Sequence, residues 1–137
     1  MAAGDILKEG LLVVEEFTVK TNEDIEKGEI VQNDGNGILA ATNTDKGPFM
    51  VALEDHDYSE ESTHTVRCAV SGCVEAQKTA GVGSGGKQGR FVEVSATDGE
   101  ATLFDYSTPG NWYDVAGVLA EDAGDSDTTA KIWIGKG

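Results

Sequence analysis

The stretch GEIVQNDGNGILAAT, residues 28–42, predicts a β-hairpin, and this pattern indicates the fold of the whole chain. Two short apolar runs flank its centre, and the D-G and N-G pairs supply residues that tolerate the positive φ of tight hairpin turns. The same pattern recurs in both directions along the chain, where Gly, Asp, Ser and Thr separate short apolar runs. Glycine accounts for 18 of the 137 residues, which favours a chain with many turns.

The spacing of these runs predicts nine short strands and almost no helix. The one helical candidate is a single turn within residues 21–29, with Asn22 as its cap. Strands at intervals of about 8–12 residues are typical of a small barrel or sandwich. The predicted strands cover residues 11–19, 29–32, 38–42, 48–55, 64–76, 89–96, 100–106, 112–122 and 129–135.

Three segments recur in the same order later in the chain, which predicts two similar halves. KGEIVQNDGNGILAAT from Lys27 resembles QGRFVEVSATDGEATLF from Gln88, MVALED resembles GVLAED, and TVRCAV resembles TAKIWI. The offsets are 61, 67 and 64 residues. Two repeats are too few for a solenoid, but two halves can close one small barrel, which removes exposed sheet edges. The alternative is chance similarity, because binary patterning makes Val- and Gly-rich strands alike.

We therefore expect an all-β fold with one small β-barrel-like domain of short antiparallel strands. The domain covers residues 13–137, its half-units cover approximately residues 27–72 and 88–136, and an extended N-terminal arm covers residues 1–12. A chain of this length fits one domain and can bury enough surface to fold without disulfides or metal ions.

The charge of the chain is strongly negative. Its 25 Asp and Glu residues against 10 Lys and Arg residues give a net charge of −15. Such a charge repels nucleic acids and anionic membranes, so we expect neither as a partner. The acidity indicates either a well-solvated surface or adaptation to high salt, where screening removes the repulsion between carboxylates. No run approaches the length of a membrane span and no secretory signal is evident, so we expect synthesis and retention in the cytoplasm.

The two cysteines, Cys68 and Cys73, lie in the alternating run TVRCAVSGCVEA. In an extended strand, five residues at about 3.3 Å each place them beyond the reach of a disulfide. We interpret both as small core residues rather than metal ligands.

Residues 81–87, GVGSGGK, spell the start of a phosphate-binding P-loop. A P-loop continues with Ser or Thr and then a helix. Here Gln88 follows, and the next segment, GRFVEVSA, alternates like a strand. We therefore interpret the segment as a connection between strands and expect no nucleotide or other cofactor.

Catalytic and metal-binding motifs are absent from the sequence. His56 and His64 flank the acidic run EDHDYSEESTH, and EDAGDSDTT near the C-terminus is also acidic, but neither has the ligand order of a calcium or zinc site. We interpret both runs as polar loops, with no metal ion and no catalytic residue. The remaining candidates are Trp112 and Tyr113, which belong either to the core or to an anchor on a partner surface.

The order of these segments resembles a family of small phage-encoded capsid decoration (cement) proteins. The resemblance rests on GILAAT, PFMVALED, VSGCVEA, QGRFVEV and the closing VAGVLAEDAGDSDTTAKIWIG, over about residues 10–135. It implies a compact β-domain that assembles as a trimer on the outer surface of an icosahedral head, binds the major capsid protein and braces the shell. The acidity fits a virus of a halophilic host.

No binding residues of the family transfer to single positions, so the interface candidates come from this sequence. They are Leu7, Leu11 and Leu12 of the arm, together with Trp112 and Tyr113. Two alternatives stay open: a generic β-barrel binding module of a tail, fibre or cellular complex, and a small enzyme that uses the acidic loops.

Overall fold

The computed structural model describes residues 12–80, 86–104 and 114–135, and it is all-β. None of the nine predicted strands is missing, although most are shorter than their apolar runs. The predicted helical turn is wrong: residues 21–22 form a turn in which Asn22 has a φ of 66°. The strands are β1 (Val13–Thr18), β2 (Ile30–Asn33), β3 (Ile38–Ala40), β4 (Met50–Ala52), β5 (Thr65–Gln77), β6 (Phe91–Val94), β7 (Ala101–Leu103), β8 (Val115–Leu119) and β9 (Thr129–Ile134).

The strands form one curled antiparallel sheet in the order β3-β2-β4-β5-β9-β8-β6-β7. The long strand β5 is its centre. The first part of β5 pairs with β4 and with β1, whereas its last six residues pair with β9. No described residue belongs to a helix long and apolar enough to cross a bilayer.

A bend near Gly72 lets the first part of β5 pair with β1 and β4 and its last part pair with β9. The pairing of β1 with β5 shifts register there, since Val13 is opposite Ser71 and Val14 is opposite Ala69. Gly72 has a φ of 125°, which side-chain-bearing residues rarely adopt. Such a bulge bends a strand and increases its twist, which accounts for the curled shape of the sheet.

The hairpin predicted within residues 28–42 forms between β2 and β3, with Asn33 opposite Ile38. Gly35 and Gly37 have φ values of 100° and 131°. A Cβ at Gly37 would lie 2.6 Å from the Lys20 nitrogen. Glycine is required there by both backbone conformation and space.

The same five-strand arrangement occurs twice. The N-terminal half (residues 13–71) contains β1 to β4 and the first part of β5, and the C-terminal half (residues 72–135) contains the rest of β5 and β6 to β9. Both halves have the same pairings, and the correspondence extends beyond the predicted half-units because it includes β1 and the end of β5. By register and hydrogen bonds, Thr18 corresponds to Gln77, Gly28 to Gly89, Val51 to Val118 and Ala69 to Trp133.

The backbone hydrogen bond at the turn before β2 has a counterpart at the turn before β6. The Gly28 amide donates to the Ala52 carbonyl at 2.8 Å, and the Gly89 amide donates to the Leu119 carbonyl at 2.9 Å. Gly28 and Gly89 have nearly equal φ values, 90° and 91°. The sequence echo therefore encodes a repeated turn as well as repeated strands.

The Glu-Asp pair that ends MVALED and GVLAED has a structural role. The Asp55 carboxylate accepts a hydrogen bond from the Lys27 amide at 2.7 Å, and the Asp122 carboxylate accepts one from the Gln88 amide at 2.9 Å. Each aspartate ties the end of one strand to the turn before another.

Two apolar clusters form the core. One lies wholly in the N-terminal half and includes Val31, Val66 and Cys68. The other joins the halves, because Val51 and Ala69 pack in the same cluster as Leu119 and Ile132 of the C-terminal half. Burying each such Val, Leu or Ile side chain contributes about 1.5–3 kcal/mol. The shared cluster packs the two halves against one another.

The cysteines agree with the sequence prediction, and β9 has one buried face. Cys68 is buried, Cys73 is half-buried, and neither forms a disulfide. Burial raises the pKa of the Cys68 thiol to about 12. In β9, Ile132 and Ile134 face the core, whereas Lys131 and Trp133 are half-buried.

Candidate functional site: an exposed edge strand

Among the described strands, β1 pairs along one edge only, and it presents an apolar surface. Its inner edge pairs with β5 from Val13 to Thr18. Leu12, Val13 and Val14 are 47%, 46% and 39% exposed, and no other large apolar side chain among the described residues is as exposed. Proteins usually protect sheet edges, since an edge strand can pair with another chain. This edge is therefore the candidate interaction site.

The amides of β1 alternate between its two edges. The Val19 amide donates to the carbonyl of His64, the residue before β5, at 2.9 Å. Because neighbouring amides in a strand point to opposite edges, the Thr18 amide points away from β5. The outer edge thus offers backbone donors and acceptors beside Val14, with Glu15 and Glu16 exposed along the strand.

Only one of the predicted interface residues falls among the described residues. Leu12 lies at the exposed start of β1. Leu7, Leu11, Trp112 and Tyr113 fall outside the described residues, so their assignment stays a prediction. Sequence reasoning missed Val13 and Val14, which it treated as ordinary strand residues. The sequence carries no signal of their exposure, because an unbroken Leu-Leu-Val-Val run is the pattern expected of a strand buried on both faces.

A histidine pair anchors the acidic loop that follows β4. The His56 Nε2 and His64 Nδ1 atoms are 3.0 Å apart, and the His56 Nδ1 atom is 3.1 Å from Glu61 Oε2. Tyr58 stacks on His64 with ring centroids 3.6 Å apart. A neutral pair satisfies both contacts when His56 donates through Nδ1 to Glu61 and accepts through Nε2 from His64.

Within this polar loop, His56 itself is buried and only 3% exposed. Backbone hydrogen bonds in both directions between His56 and Ile25, at 2.8 and 2.9 Å, draw the ring into the core. Within the described ranges, no group of three or more His, Cys, Asp or Glu side chains could hold a metal ion. The pair closes the loop over the N-terminal core.

In the part of the P-loop-like segment that the structure describes, residues 86–88, the backbone and lysine groups contact other protein groups. Residues 81–85 fall outside the described residues. The Gly86 carbonyl accepts from the Ala123 amide at 2.7 Å, the Gln88 amide donates to Asp122, and the Lys87 Nζ atom lies 3.5 Å from the same carboxylate. The Gln88 hydrogen bond and the Lys87 charge lower the pKa of Asp122. The groups that a phosphate would need face an aspartate, and strand β6 follows as predicted.

Comparisons with known proteins give a likeness of fold. No family model matches the chain, and a search of curated proteins gives no match. Among solved structures, the chain is similar to the crystal structure of the head fiber gp8.5 N base in bacteriophage phi29, with a TM-score of 0.58 and 20% identity. The match covers 89% of this chain and 94% of that chain. At this identity it shows a shared fold over nearly the whole of both chains.

Proposed function

We propose that this chain is a structural, non-enzymatic protein of a phage virion that binds the outer surface of an icosahedral head as a homotrimer. The observation that carries the proposal is the likeness to the phi29 head fiber base, which spans 94% of that chain. The likeness therefore extends over nearly the whole of that head fiber base chain. The resemblance of the sequence to capsid decoration proteins points in the same direction.

The exposed edge suits attachment to a larger protein surface. An extended segment from a partner can add to a sheet edge through main-chain hydrogen bonds, while side-chain pockets supply specificity. Leu12, Val13 and Val14 offer apolar area beside that edge. We propose the major capsid protein as the partner, with Leu7, Leu11, Leu12, Trp112 and Tyr113 at interfaces with the capsid or between protomers.

Trimer formation would convert a weak contact into stable attachment. When three copies are joined, the second and third contacts become intramolecular, and avidity can exceed single-site affinity by about 10²–10⁴. The arm, residues 1–12, ends in Leu11 and Leu12, which suit it to lie along a neighbouring subunit or the shell.

Co-sedimentation with heads tests this proposal. Purified chain is mixed with heads of the encoding phage, and the head fraction of a density gradient is analysed for bound chain. We expect binding at a copy number that is a multiple of three. Removal of residues 1–12 should reduce bound chain strongly while the melting temperature changes little. A chain that never enters the head fraction contradicts the proposal.

The structural neighbour is the base of a head fiber, which favours a second candidate, a base module of a fibre. In that case the chain would bind heads only together with a further fibre protein. Gradients run with virions and with stripped heads separate the two: direct binding to stripped heads supports decoration, and binding only to fibre-bearing particles supports the fibre base.

A further inference from the structure

The two halves of the chain contact one another through a specific interface. The Gln77 amide at the end of β5 donates to the Gly28 carbonyl at 2.8 Å, and the Gln77 side-chain amide donates to the Lys27 carbonyl at 3.0 Å. Behind this turn, Val51 and Ala69 are 0% exposed, packed in the cluster shared with the C-terminal half. The turn and back surface of the first half are thus covered by the second.

Among the residues that the structure describes, the corresponding surfaces of the repeat are less covered. Gly89 corresponds to Gly28, yet a Cβ there would meet no atom within 4 Å, whereas a Cβ at Gly28 would lie 3.3 Å from Gln77. Val118 and Trp133, the counterparts of Val51 and Ala69, are half-buried rather than buried. The back of the C-terminal half is therefore more open than the back of the N-terminal half.

Strand β1 shows the complementary difference. It corresponds to the last six residues of β5. Gln77 is half-buried against the Gly28 turn, whereas its counterpart Thr18 is exposed. Val13 is exposed where its counterpart Gly72 is buried. The exposed edge of β1 corresponds to the end of β5, and the open Gly89 turn corresponds to the Gly28 turn. Within the chain, the end of β5 and the Gly28 turn already contact one another.

We propose that a second copy of this chain fills both openings, with β1 of one copy docked on the Gly89 turn of the next. The Thr18 amide would donate to the Gly89 carbonyl of the neighbouring copy, as Gln77 donates to Gly28 within the chain. Val118 and Trp133 would become buried, as Val51 and Ala69 are. This inference rests on one part of the proposed function, namely that copies of the chain associate with one another.

The geometry of such a contact constrains the assembly. It joins unlike surfaces, head to tail, so it builds a closed ring if its rotation closes and an open filament if it does not. A ring of three chains would place six similar halves around its axis. The His56 loop fills the core of the N-terminal half from within, so the docking uses the edge of β1 rather than the inner face of that half.

Paired cysteines test the inference. Thr18→Cys and Gln88→Cys are placed in one chain, because Gln88 corresponds to Lys27, the residue that Gln77 contacts. A short bis-maleimide should then link copies into a ladder that ends at one discrete species. Either single variant alone should give no ladder, since the contact joins unlike surfaces. Cys68 and Cys73 are retained, and the wild-type chain reports any linkage through them.

Two further variants serve as controls. Gln77→Cys with Lys27→Cys places the same pair at the contact within the chain and should link without forming higher species. Val118→Lys should shift the mass by light scattering toward the monomer, while Ser62→Lys, an exposed change of equal charge, should not. Dimers from Thr18→Cys alone would indicate a two-fold contact and overturn the inference, as would a monomeric wild-type chain.

The outcomes separate this inference from the proposed function. A chain that co-sediments with heads but gives no ladder overturns the head-to-tail contact and leaves the virion role intact. A ladder from a chain that never binds heads supports the contact and contradicts the virion role.

Discussion

Glu29 illustrates at the residue scale how position overrides composition. It is one of 25 acidic residues, yet it is only 8% exposed. Its Oε1 accepts from the Glu26 amide at 2.8 Å, and its carboxylate lies against Gly99 at the contact between the halves. Burial raises the pKa of Glu29, and the neighbouring carboxylates of Glu26, Asp98 and Glu100 add to the shift.

The raised pKa predicts that Glu29→Gln stabilises the protein at neutral pH. Because the folded state holds this proton more tightly than the unfolded state, stability falls as pH rises above the ordinary value of 4.5. Gln removes the charge and keeps an acceptor oxygen. We expect a gain of about 1 kcal/mol at pH 7, a few degrees in Tm, measured by thermal unfolding.

This gain should shrink toward zero at pH 3, where Glu29 is protonated in both states. Glu60→Gln, at an exposed site, is the matched control and should change Tm much less. A lower Tm for Glu29→Gln at pH 7 would show that the charged form is the stabilising one.

Asp122 gives the opposite pH dependence. Its pKa is lowered by the Gln88 hydrogen bond and by Lys87, so its stabilising contribution is present above the ordinary value of 3.8 and is lost as pH falls through the folded value. Asp122→Ala should lower Tm at pH 7, and Asp122→Asn, which retains an acceptor, should lower it less. The difference from wild type should contract at pH 2.5.

The exposed Asp125 on the same loop serves as control, and Asp125→Ala should leave Tm nearly unchanged. A pH-independent loss for Asp122→Ala would assign its effect to packing rather than to the charged hydrogen bond.

At the scale of elements, β5 is the strand on which the topology depends. The sequence indicated a strand through residues 64–76, but not that its two ends pair with different partners. The bend near Gly72 makes this possible, since the ladder shifts register there. Local alternation specifies a strand, whereas the choice of partners depends on segments that lie elsewhere in the sequence.

Gly72→Ala should destabilise the protein by about 1–3 kcal/mol, because a Cβ is strained at a φ of 125°. Urea unfolding measures the loss. Ser71→Ala, next to it, is the control and should cost less, since the Ser71 hydroxyl makes only a 3.3 Å contact with the Gly135 carbonyl. Equal stability of Gly72→Ala and wild type would show that the bend does not require glycine.

For the whole molecule, charge controls stability through ionic strength. A net charge of −15 repels itself over a Debye length of about 30 Å at 0.01 M salt and only about 3 Å at 1 M. We expect Tm to rise steeply between these conditions, measured by calorimetry. Sucrose at equal osmolality is the control, because it adds no screening. A Tm that does not respond to salt removes the argument for a halophilic host.

The sequence by itself determined the strands, the hairpin at Asp34–Gly37 and the likeness of the two halves. These features depend on alternation and on residues such as Gly28 and Gly89, whose backbone conformations are local properties. The lack of a disulfide between Cys68 and Cys73 and the strand after Lys87 followed from the same local reasoning.

Only the tertiary structure decided which of these similar strands are covered. Val14 and Cys73 occupy equivalent positions and look alike as apolar strand residues, yet one is exposed and the other half-buried. Likewise, His56 and Glu29 lie in polar segments but are buried by partners distant in sequence. Exposure is set by the segments that pack against a residue, and pattern within one segment carries no record of them.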